Sequence, residues 1–401
     1  MTAAPLDCDI LISGGGAAGL IAAATFGAEG FSVICCDPTP PVTDEGQAGA
    51  DLRTTAFLQP SRALLARAGL WDRFAAFAAP LQIMRIIDAG GADHTARLTR
   101  AFDAADISDQ PFGWNLPNWL IRREALARLT DLPNVTFLPG TATTGLTTRA
   151  TEAIVALSDG RRVTTRLVVA ADGRASAMRA AAGIGVHTTR YGQKAVVCTT
   201  THPVAHQNIS TEIHRSGGPF TLVPLPDRDG LPSSAIVWME RGPEAERLAA
   251  LPLPDFEAAL NERSTGVLGP LRVVTGRQCW PIISQLADRF HGERVALIAE
   301  AAHVVPPIGA QGLNMSLADL GALVDLCVDH RADPGTAAML ARFSRTRWPE
   351  VKARVTGIDL LNRASMVSAR PLRDLRAAAL GSLYAVKPVR KLLMRAGLGM
   401  R

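Results

Sequence analysis

The hydrophobic positions of this chain follow two spacings, and the change between them divides the sequence into regions. Up to about residue 185, and again from about residue 286, short apolar runs alternate with segments whose apolar residues recur at helical spacing. Between about 186 and 285, short alternating runs are separated by turns, as in an antiparallel sheet. After Asp319 the pattern is mostly helical. The sequence therefore predicts an α/β domain, an antiparallel sheet inserted into it, and a helical C-terminus.

The first predicted strand and helix are joined by a glycine-rich turn. The strand ends at Ser13, and an alanine-rich helical segment begins near Leu20. Between them, Gly14, Gly16 and Gly19 form the pattern GxGxxG. Such glycines allow a tight turn, the close approach of a pyrophosphate, and close contact between helix and strand. Because a strand and a helix flank the pattern, it predicts dinucleotide binding.

An acidic residue stands where the ribose of a dinucleotide would be bound. A second apolar strand, Phe31–Cys36, leads to Asp37, which lies 18 residues after Gly19. A carboxylate at this position can accept hydrogen bonds from a ribose 2′-OH. A glycine turn with a purely structural role would not require an acidic residue at position 37. The two features together therefore favour a bound dinucleotide.

A second strand–loop–helix unit lies near residue 300. Val295–Ala299 is predicted to be a buried strand, and the turn-rich loop after it ends at Asn314, where helical spacing takes over. A loop of this kind can direct free N–H groups at an anion, although a structural loop can have the same composition. Its turn-forming residues are Pro306, Pro307, Gly309 and Gly312.

A third loop follows another buried strand. The strand that begins at Arg166 ends in Asp172 and Gly173, and Ser176 and Arg179 come shortly after. Ligands of open α/β sheets bind at the carboxyl ends of the strands. Asp172 is therefore a candidate ligand-binding residue, with a plain Asp-Gly turn as the alternative.

Three arginines between these loops are candidate contacts for an anion. Arg53 follows a polar loop, and it is predicted either to reach a phosphate or to form an ion pair with Asp51. A helix is predicted to start at Ile121, which places Arg122 and Arg123 in its first turn. A cation is unusual there because of the helix dipole, so the alternatives are an anionic ligand and a solvated face.

The other segments between residues 51 and 118 have weaker patterns. A helix is predicted from Ser61, as its N-cap, to Phe77. Leu81–Asp88 is predicted to be a strand, and residues 89–118 are predicted to be irregular.

Composition restricts the class of function. With 401 residues, 47% apolar and 20% charged, the chain is expected to be globular and to form two domains. The net charge of +5 comes from dispersed arginines and not from a basic stripe, so no nucleic-acid partner is expected.

Neither a metal site nor a disulfide framework is predicted. None of the six cysteines forms CxxC or a zinc spacing, which is a reduced, cytosolic pattern. Pro203 argues against a helix that would bring His202 and His206 onto one face. The first ten residues resemble neither a secretory signal nor a transit peptide, and no apolar segment is long enough to span a membrane.

The C-terminal segment mixes basic and apolar residues at helical spacing between Lys387 and Leu398. This pattern is typical of a helix that lies on a membrane surface. A packed or frayed terminal helix is the alternative.

Together, the three loops resemble those of the class A flavin monooxygenases, which share the p-hydroxybenzoate hydroxylase fold. The stretch Gly309–Asn314 reads GAQGLN and is similar to the GAQG-L/M-N motif of the ubiquinone-biosynthesis hydroxylases. Asp51-Leu52-Arg53, and Arg123 followed by Leu126, also match that branch. The resemblance spans about residues 8 to 363.

The resemblance implies a Rossmann-like FAD-binding domain with an inserted, mainly antiparallel β-sheet substrate domain and a helical C-terminus. The implied boundaries are 1–80, 119–185 and 286–350 for the FAD-binding domain, 81–118 and 186–285 for the substrate domain, and 351–401 for the C-terminal region. The implied FAD contacts are Gly14, Gly16, Ala17, Ala18, Gly19 and Asp37 at the ADP half; Arg53 and Arg123 beside the flavin and pyrophosphate; Asp172 and Gly173, linked to FAD and NAD(P)H; and Glu300, Pro307, Gly309, Gln311, Gly312, Leu313 and Asn314 along the ribityl chain and flavin ring.

The activity that the resemblance implies is hydroxylation of a polyprenylated phenol in ubiquinone biosynthesis. NAD(P)H would reduce the flavin, and O2 would then form a C4a-hydroperoxide that transfers oxygen to the ring. The protein would be cytoplasmic, with peripheral contact to the inner face of the membrane through its basic C-terminus, and could join other ubiquinone-biosynthesis proteins. No acid–base residue is assigned, and a structural hydrogen bond is expected for His303.

One departure from the family pattern concerns the flavin site. The family has Gly-Asp-Ala-Ala-His where this chain has Ala299, Glu300 and then Ala-Ala-His303. Loss of one charge-assisted hydrogen bond costs about 1.5–3 kcal/mol, which is roughly 10- to 150-fold in FAD affinity. Two alternatives follow: a non-catalytic scaffold with weakened FAD binding, and another class A flavoenzyme, such as a hydroxylase of soluble aromatics or a prenyl reductase.

Overall fold

The computed structural model describes residues 6–89, 98–215, 217–366, 384 and 386–399. Its strands are β1 (Leu6–Ser13), β2 (Val33–Asp37), β3 (Thr54–Leu58), β4 (Ala79–Leu81), β5 (Ile83–Asp88), β6 (Leu98–Asp103), β7 (Gly113–Pro117), β8 (Val135–Pro139), β9 (Thr143–Thr148), β10 (Ala153–Leu157), β11 (Arg162–Ala170), β12 (Val186–Thr201), β13 (Ile209–His214), β14 (Pro219–Arg228), β15 (Leu231–Arg241), β16 (Arg272–Val273), β17 (Gln278–Ala287), β18 (His291–Gly292), β19 (Val295–Leu297) and β20 (His303–Val304).

The helices alternate with these strands in the first third of the chain and dominate its last part. They are α1 (Ala17–Ala28), α2 (Gln59–Arg67), α3 (Trp71–Ala75), α4 (Asn118–Thr130), α5 (Ala177–Ala181), α6 (Gly242–Ala250), α7 (Leu253–Arg263), α8 (Ala299–Ala302), α9 (Gln311–Asp329), α10 (Ala337–Ser365) and α11 (Lys387–Leu398), with a 3-10 turn at Ala104–Asp106.

A mostly parallel sheet organises the first domain. Its order is β18-β19-β11-β1-β2-β8, and the hairpin of β9 and β10 extends from β11. β1 pairs in parallel with β2 and β11, and β11 pairs in parallel with β19. The sequence forms this central strand because Ile10, Leu11 and Ile12 are all fully buried, as both faces of a parallel sheet require. The carboxyl ends of β1, β11 and β19 therefore meet at one edge of the sheet, and the three predicted ligand loops all start there.

A second, mainly antiparallel sheet forms the inserted domain. Its order is β20-β17-β12-β15-β14-β13-β5-β6, and only the pairing of β13 with β5 is parallel within this path. Alternate residues of β12 pack on opposite faces, with Val196 and Cys198 in one buried cluster and Ala195 and Val197 in another. The predicted fold class is thus confirmed. The sheet also recruits β5 and β6 from the segment before residue 118.

Several local predictions were wrong. The helix predicted from Ser61 to Phe77 is divided into α2 and α3, because Gly69 turns the chain at φ +70°. Ser61 is not its N-cap, since α2 begins at Gln59. The segment predicted to be irregular contains β6 and β7, although residues 90–97 lie outside the described part of the chain.

The starts of two predicted helices and the end of one predicted strand also differ. α4 begins at Asn118, so Arg122 and Arg123 lie in its second turn and not its first. β19 ends at Leu297, and α9 begins at Gln311. The loop that was predicted to end at Asn314 therefore contributes four residues to the first turn of α9. The predicted boundary between residues 350 and 351 falls inside α10, which is 29 residues long.

Candidate functional site

The turn after β1 is shaped by close backbone contacts. Gly14 has φ +107°, and a Cβ on it would lie 2.4 Å from the carbonyl oxygen of Ala171. A Cβ on Gly19 would lie 1.8 Å from the carbonyl oxygen of Gly14. A Cβ on Gly16, in contrast, would meet nothing within 4 Å. Two of the predicted glycines therefore pack the turn, and the third leaves open space beside it.

The N-terminus of α1 has unpaired donors at this open space. Gly16 is the N-cap, and no side chain caps the helix among the described residues. The N–H groups of the first turn, which include those of Ala17 and Ala18, have no partner within an α-helix. With the helix dipole, such a terminus attracts an anion.

Asp37 fixes the same turn and keeps spare acceptor capacity. Its Oδ2 accepts from Gly15 N at 2.6 Å, and its Oδ1 accepts from Thr39 N at 2.8 Å. A carboxylate offers about four acceptor positions. About two of them are left after these bonds, enough for the two hydroxyls of a ribose.

The loop after β11 is closed by its own side chains. Asp172 accepts from Ser176 Oγ at 2.5 Å and from Met178 N at 3.1 Å. Gly173 has φ +83°, and a Cβ on it would meet nothing within 4 Å. The Asp-Gly turn that was left open as an alternative is therefore present, and Gly173 faces open space.

A buried arginine links this loop to the one after β19. Arg179 donates from Nη1 to the carbonyl oxygen of Ala301 at 2.9 Å, and from Nη2 to that of Arg174 at 2.8 Å. Burial lowers the pKa of Arg179. The sequence placed Arg179 near the loop but assigned it no task, because an arginine that bonds to backbone carbonyls leaves no pattern in the sequence.

The departure at Ala299 and Glu300 has a conformational basis. Ala299 has φ +55°, the left-handed region in which glycine is favoured, and this costs a residue with a Cβ roughly 1–2 kcal/mol. Glu300 is exposed, and its Oε2 lies 3.5 Å from Nε of Arg174. Glycine is thus suited to position 299 by its backbone angle as well as by its size.

The N-terminus of α9 resembles that of α1, because it also follows a glycine turn and has no side-chain cap among the described residues. Its N-cap, Ala310, has φ +56° and no side-chain cap within the described chain. Gly309 before it has φ +63°, and Gly312 after it faces open space. The N–H groups of Gln311, Gly312 and Leu313 belong to the first turn and lack helical partners. The predicted strand, loop and helix therefore follow one another, and the helix begins with N–H groups of the kind to which anions bind.

Asn314 holds this helix end against β3 and α2. Its Oδ1 accepts from Leu58 N at 2.8 Å and from Ser61 Oγ at 2.7 Å. Its Nδ2 donates to the carbonyl oxygens of Ala56 and Ala310 at 2.7 and 2.6 Å. All four hydrogen-bonding positions of the amide are thereby used by the protein. Asn314 positions the loop, and its side chain has no further bond to offer a ligand.

Gln311 connects the same loop to the C-terminal helices. Its Nε2 donates to the carbonyl oxygens of Gly309 at 2.8 Å and Gly397 at 2.9 Å. Its Oε1 accepts from Nη1 of Arg354 at 3.1 Å. The sequence singled out Gln311 as part of a motif, but two of its three partners lie in α10 and α11.

The structural role expected for His303 is confirmed. Its Nε2 lies 2.6 Å from Oδ2 of Asp319, and Nε of Arg347 donates to the other carboxylate oxygen at 2.7 Å. All three side chains are buried. The group ties the start of the loop to α9 and α10.

Arg53 forms the ion pair that was one of its two predicted alternatives. Nε and Nη2 bond to the two carboxylate oxygens of Asp51 at 2.8 and 2.7 Å. The guanidinium also lies 4.1 Å from the ring centroid of Trp280, in β17 of the inserted sheet. Burial alone would raise the pKa of Asp51, but the hydrogen bonds and charge of Arg53 outweigh it, and the pKa is lowered. Arg53 therefore connects the loop before β3 to the inserted sheet.

The two arginines of α4 differ in their contacts. Arg122 lies 3.4 Å from Asp51 and joins the ion pair of Arg53. Arg123, the residue that matched the family pattern, bonds to Glu124 and lies over the rings of Phe77 and Trp119.

Metal ligation finds no support in the part of the chain that the structure describes. No group of three or more His, Cys, Asp or Glu residues in it could hold a metal ion. Both ring nitrogens of His202 lie within 2.9 Å of protein oxygens, and Cys35 and Cys36 are buried core residues. No described helix is both long and apolar enough to cross a membrane.

The comparisons with known proteins agree with this geometry. A family model described as an FAD binding domain matches residues 7–357. The chain is 34% identical to the ubiquinone hydroxylase UbiL of Rhodospirillum rubrum, over 98% of this chain and 89% of the relative. It is 27% identical to the ubiquinone hydroxylase UbiM of Neisseria meningitidis, covering 97% and 84%. It is 24% identical to the 3-demethoxyubiquinol 3-hydroxylase of Escherichia coli, covering 98% of each chain.

Two solved structures have the same fold. The p-nitrophenol 4-monooxygenase PnpA of Pseudomonas putida DLL-E4 is similar with a TM-score of 0.80 and 18% identity, covering 99% of each chain. PqsL of Pseudomonas aeruginosa, in complex with 2-aminobenzoylacetate, is similar with a TM-score of 0.74 and 22% identity, covering 90% of this chain and 97% of that one.

Proposed function

Because this chain belongs to the FAD-binding domain family, in its ubiquinone hydroxylase branch, we propose that it hydroxylates the aromatic ring of a polyprenylated phenol. It is an FAD-dependent aromatic monooxygenase that takes its electrons from NAD(P)H and its oxygen atom from O2. The observation that carries the proposal is shared by the N-termini of α1 and α9: each lies at a glycine turn, and each has a glycine, Gly16 or Gly312, whose Cβ would meet nothing within 4 Å.

The residues present fit FAD. FAD contains two phosphates, and the first turn of α1 at Ala17 and Ala18 would hold them through backbone N–H groups. Asp37 would accept from the adenosine ribose with its spare carboxylate positions. The first turn of α9, at Gln311 and Gly312, would lie against the flavin half. Open space at Gly16, Gly173 and Gly312 is where side chains would otherwise fill the cradle.

The cofactor and the protein would contribute different parts of the reaction. FAD, when bound, supplies the redox chemistry: it accepts hydride from NAD(P)H and activates O2 for transfer to the ring. The inserted sheet would cover the phenol and exclude water, since water at the flavin would waste the oxidant. Arg53 holds that sheet to the first domain through Asp51 and Trp280, so it maintains the distance between the substrate cover and the cofactor.

A membrane surface is the proposed source of the substrate, because a polyprenyl chain dissolves in lipid. α11 exposes Val389, Leu392 and Leu393, with Leu392 67% accessible. Lys387 and Arg395 on the same helix are also exposed. Apolar residues flanked by cations suit an anionic bilayer. We infer peripheral contact with the cytoplasmic face of the membrane, where other proteins of the same pathway would be neighbours.

Two measurements test the proposed activity. The purified protein, with FAD and NAD(P)H under 18O2, is expected to give a prenylphenol product that is heavier by one 18O atom. Deletion of the gene is expected to make a quinone precursor that lacks one ring hydroxyl accumulate. Oxidation of NAD(P)H that yields only hydrogen peroxide with every prenylphenol would overturn the hydroxylase assignment. Preference for soluble aromatic acids would favour another flavoenzyme, and a colourless protein that FAD does not stabilise would favour a scaffold.

A further inference from the structure

The C-terminal helix α11 contacts the loop that is proposed to hold the flavin. Gln311 is the first residue of α9, and its Nε2 donates to the carbonyl oxygen of Gly397 in α11. Its Oε1 accepts from Arg354 in α10. The Gln311 amide thus links α9 to α10 and α11. It directly follows Ala310, which has a left-handed backbone conformation.

α11 is also held on its other side and along its length. Arg390 pairs with Asp106 at 3.1 Å, next to β6 of the inserted sheet. Met394 and Leu398 are buried, one helical turn apart on the same face. Arg354 lies close to the end of α11, since a Cβ on Gly399 would be 3.0 Å from its Nη2. The helix is therefore docked by both polar and apolar contacts.

The polar contacts restrict the backbone conformation at the N-terminus of α9. Gly309 and Ala310 both have positive φ, so the approach to α9 is strained at Ala310, and the carbonyl oxygens of both residues accept from side chains of the first turn of α9. Asn314 fixes the second half of the first turn to β3 and α2. The Gln311 side chain bonds to Gly309 within the loop, and its other two bonds come from α10 and α11.

We propose that α11 and Arg354 act as a clamp on the FAD-binding loop, with Gln311 and Arg354 as positioning residues. The clamp keeps residues 307–314 in the conformation that directs the first-turn N–H groups of α9 toward the cofactor. The inference rests on the proposed function for the identity of the ligand. The restraint on the loop is a property of the chain by itself.

The test uses the full-length protein and two matched pairs of variants. Arg354→Ala removes the bond to Gln311 together with an i,i+4 pair to Glu350. Its control, Arg363→Ala, removes an i,i+4 pair on the same helix and a contact over the Tyr191 ring, but no bond to residues 307–314. Met394→Ala loosens the buried face of α11, and its control, Leu392→Ala, shortens a side chain on the exposed face.

Two readouts separate the clamp from general stability. The first is hydrogen exchange of the peptide covering 307–314, measured without FAD. The second is the FAD dissociation constant of the apoprotein, measured by flavin fluorescence. Arg354→Ala and Met394→Ala are expected to speed exchange in 307–314 but not in β12–β15, and to raise the dissociation constant about 3- to 10-fold, the value of one hydrogen bond. The two controls are expected to match the wild type.

The outcomes distinguish the two proposals. Exchange in 307–314 and an FAD dissociation constant that both stay at the wild-type values in Arg354→Ala and Met394→Ala would overturn the clamp. A clamp effect on exchange in a protein that binds no FAD would overturn the proposed function and keep the restraint. If Arg354→Ala does not fold, Gln311→Leu removes the bonds to Gly397 and Arg354 together with the local bond to Gly309, and Met394→Ala, which leaves the Gly309 bond in place, decides whether α11 restrains the loop.

Discussion

The two helix N-termini of the proposed FAD site are built in different ways. At α1, most supports are local: Gly19 packs on Gly14, and Asp37 bonds to Gly15, with Ala171 as the distant neighbour of Gly14. At α9, local bonds to Gly309 and Ala310 are joined by distant ones, because Asn314 bonds to β3 more than 250 residues earlier and Gln311 bonds to α11. The N-terminus of α1 is fixed mainly by close backbone packing, so it tolerates few substitutions of its glycines. The N-terminus of α9 is fixed by side-chain hydrogen bonds, so it depends on residues in other elements.

The largest expected effect breaks the local support. Gly19→Ala would place a Cβ 1.8 Å from a carbonyl oxygen and is expected to destabilise the protein by about 3 kcal/mol, the upper end for overpacking. Gly16→Ala is the control, because its extended backbone and open surroundings accept a Cβ. It is expected to unfold at the wild-type denaturant concentration and to bind FAD more weakly. Equal stability of the two variants would contradict the packing role of Gly19.

The next effect breaks the distant support. Asn314→Ala leaves Leu58 N and the hydroxyl of Ser61 without their acceptor, and an unsatisfied buried group costs about 1–3 kcal/mol. We expect a loss of about 2 kcal/mol in chemical denaturation, together with weaker FAD binding. Asn314→Asp keeps the acceptor and loses the two donations, so it should fall between alanine and wild type. An Asn314→Ala variant that is as stable as wild type would show that these bonds contribute nothing net.

One substitution near the second helix end is expected to stabilise the protein. Ala299→Gly relieves a left-handed alanine and is expected to add about 1 kcal/mol to the free energy of unfolding. Ala301→Gly, in the same short helix but without positive φ, is the control and is expected to lose about 1 kcal/mol. Thermal unfolding of the two variants without FAD measures the difference. If both substitutions change the free energy of unfolding in the same direction, backbone strain at position 299 does not explain the glycine of the family pattern.

The smallest effect concerns pH at the ion pair that precedes β3. The folded pKa of Asp51 is lowered, so its contribution to stability is present above the unfolded pKa of about 3.9 and is lost as the pH falls through the folded value. Arg53 is about a third exposed, which limits the pair to about 1 kcal/mol. Asp51→Asn should therefore be less stable than wild type at pH 7, and the gap should close below pH 4. A gap that persists in acid would have another cause.

More of the structure at the N-terminus of α1 than at that of α9 could be predicted from the sequence. Gly14, Gly16, Gly19 and Asp37 lie within one βαβ unit, so their spacing alone predicts a turn, a helix and an acceptor. The loop before α9 was also visible in its prolines and glycines. Its supports were not, because a hydrogen bond between Asn314 and Leu58 depends on how two distant segments pack.

The errors have the same origin. Ser61 has the chemistry of an N-cap, but tertiary contacts set α2 to begin two residues earlier and gave its hydroxyl to Asn314. The short strands β6 and β7 were missed because their pairing partners, β5 and β3, are separate segments of the chain. The angle of Ala299 could not be read from residue type, since alanine rarely adopts it.

The strand order has a consequence for how the protein is made. β1 is the centre of the parallel sheet, but its partner β11 is synthesised about 150 residues later, and β19 later still. Until then one edge of a strand that carries the apolar run Ile10–Ile12 has no neighbour, which is a hazard for aggregation during synthesis. The α9 terminus comes after all three strands, so the flavin half of the proposed FAD site is completed only at a late stage of synthesis. Chaperone demand, and not cofactor supply, is thus expected to limit the yield of this chain at early stages.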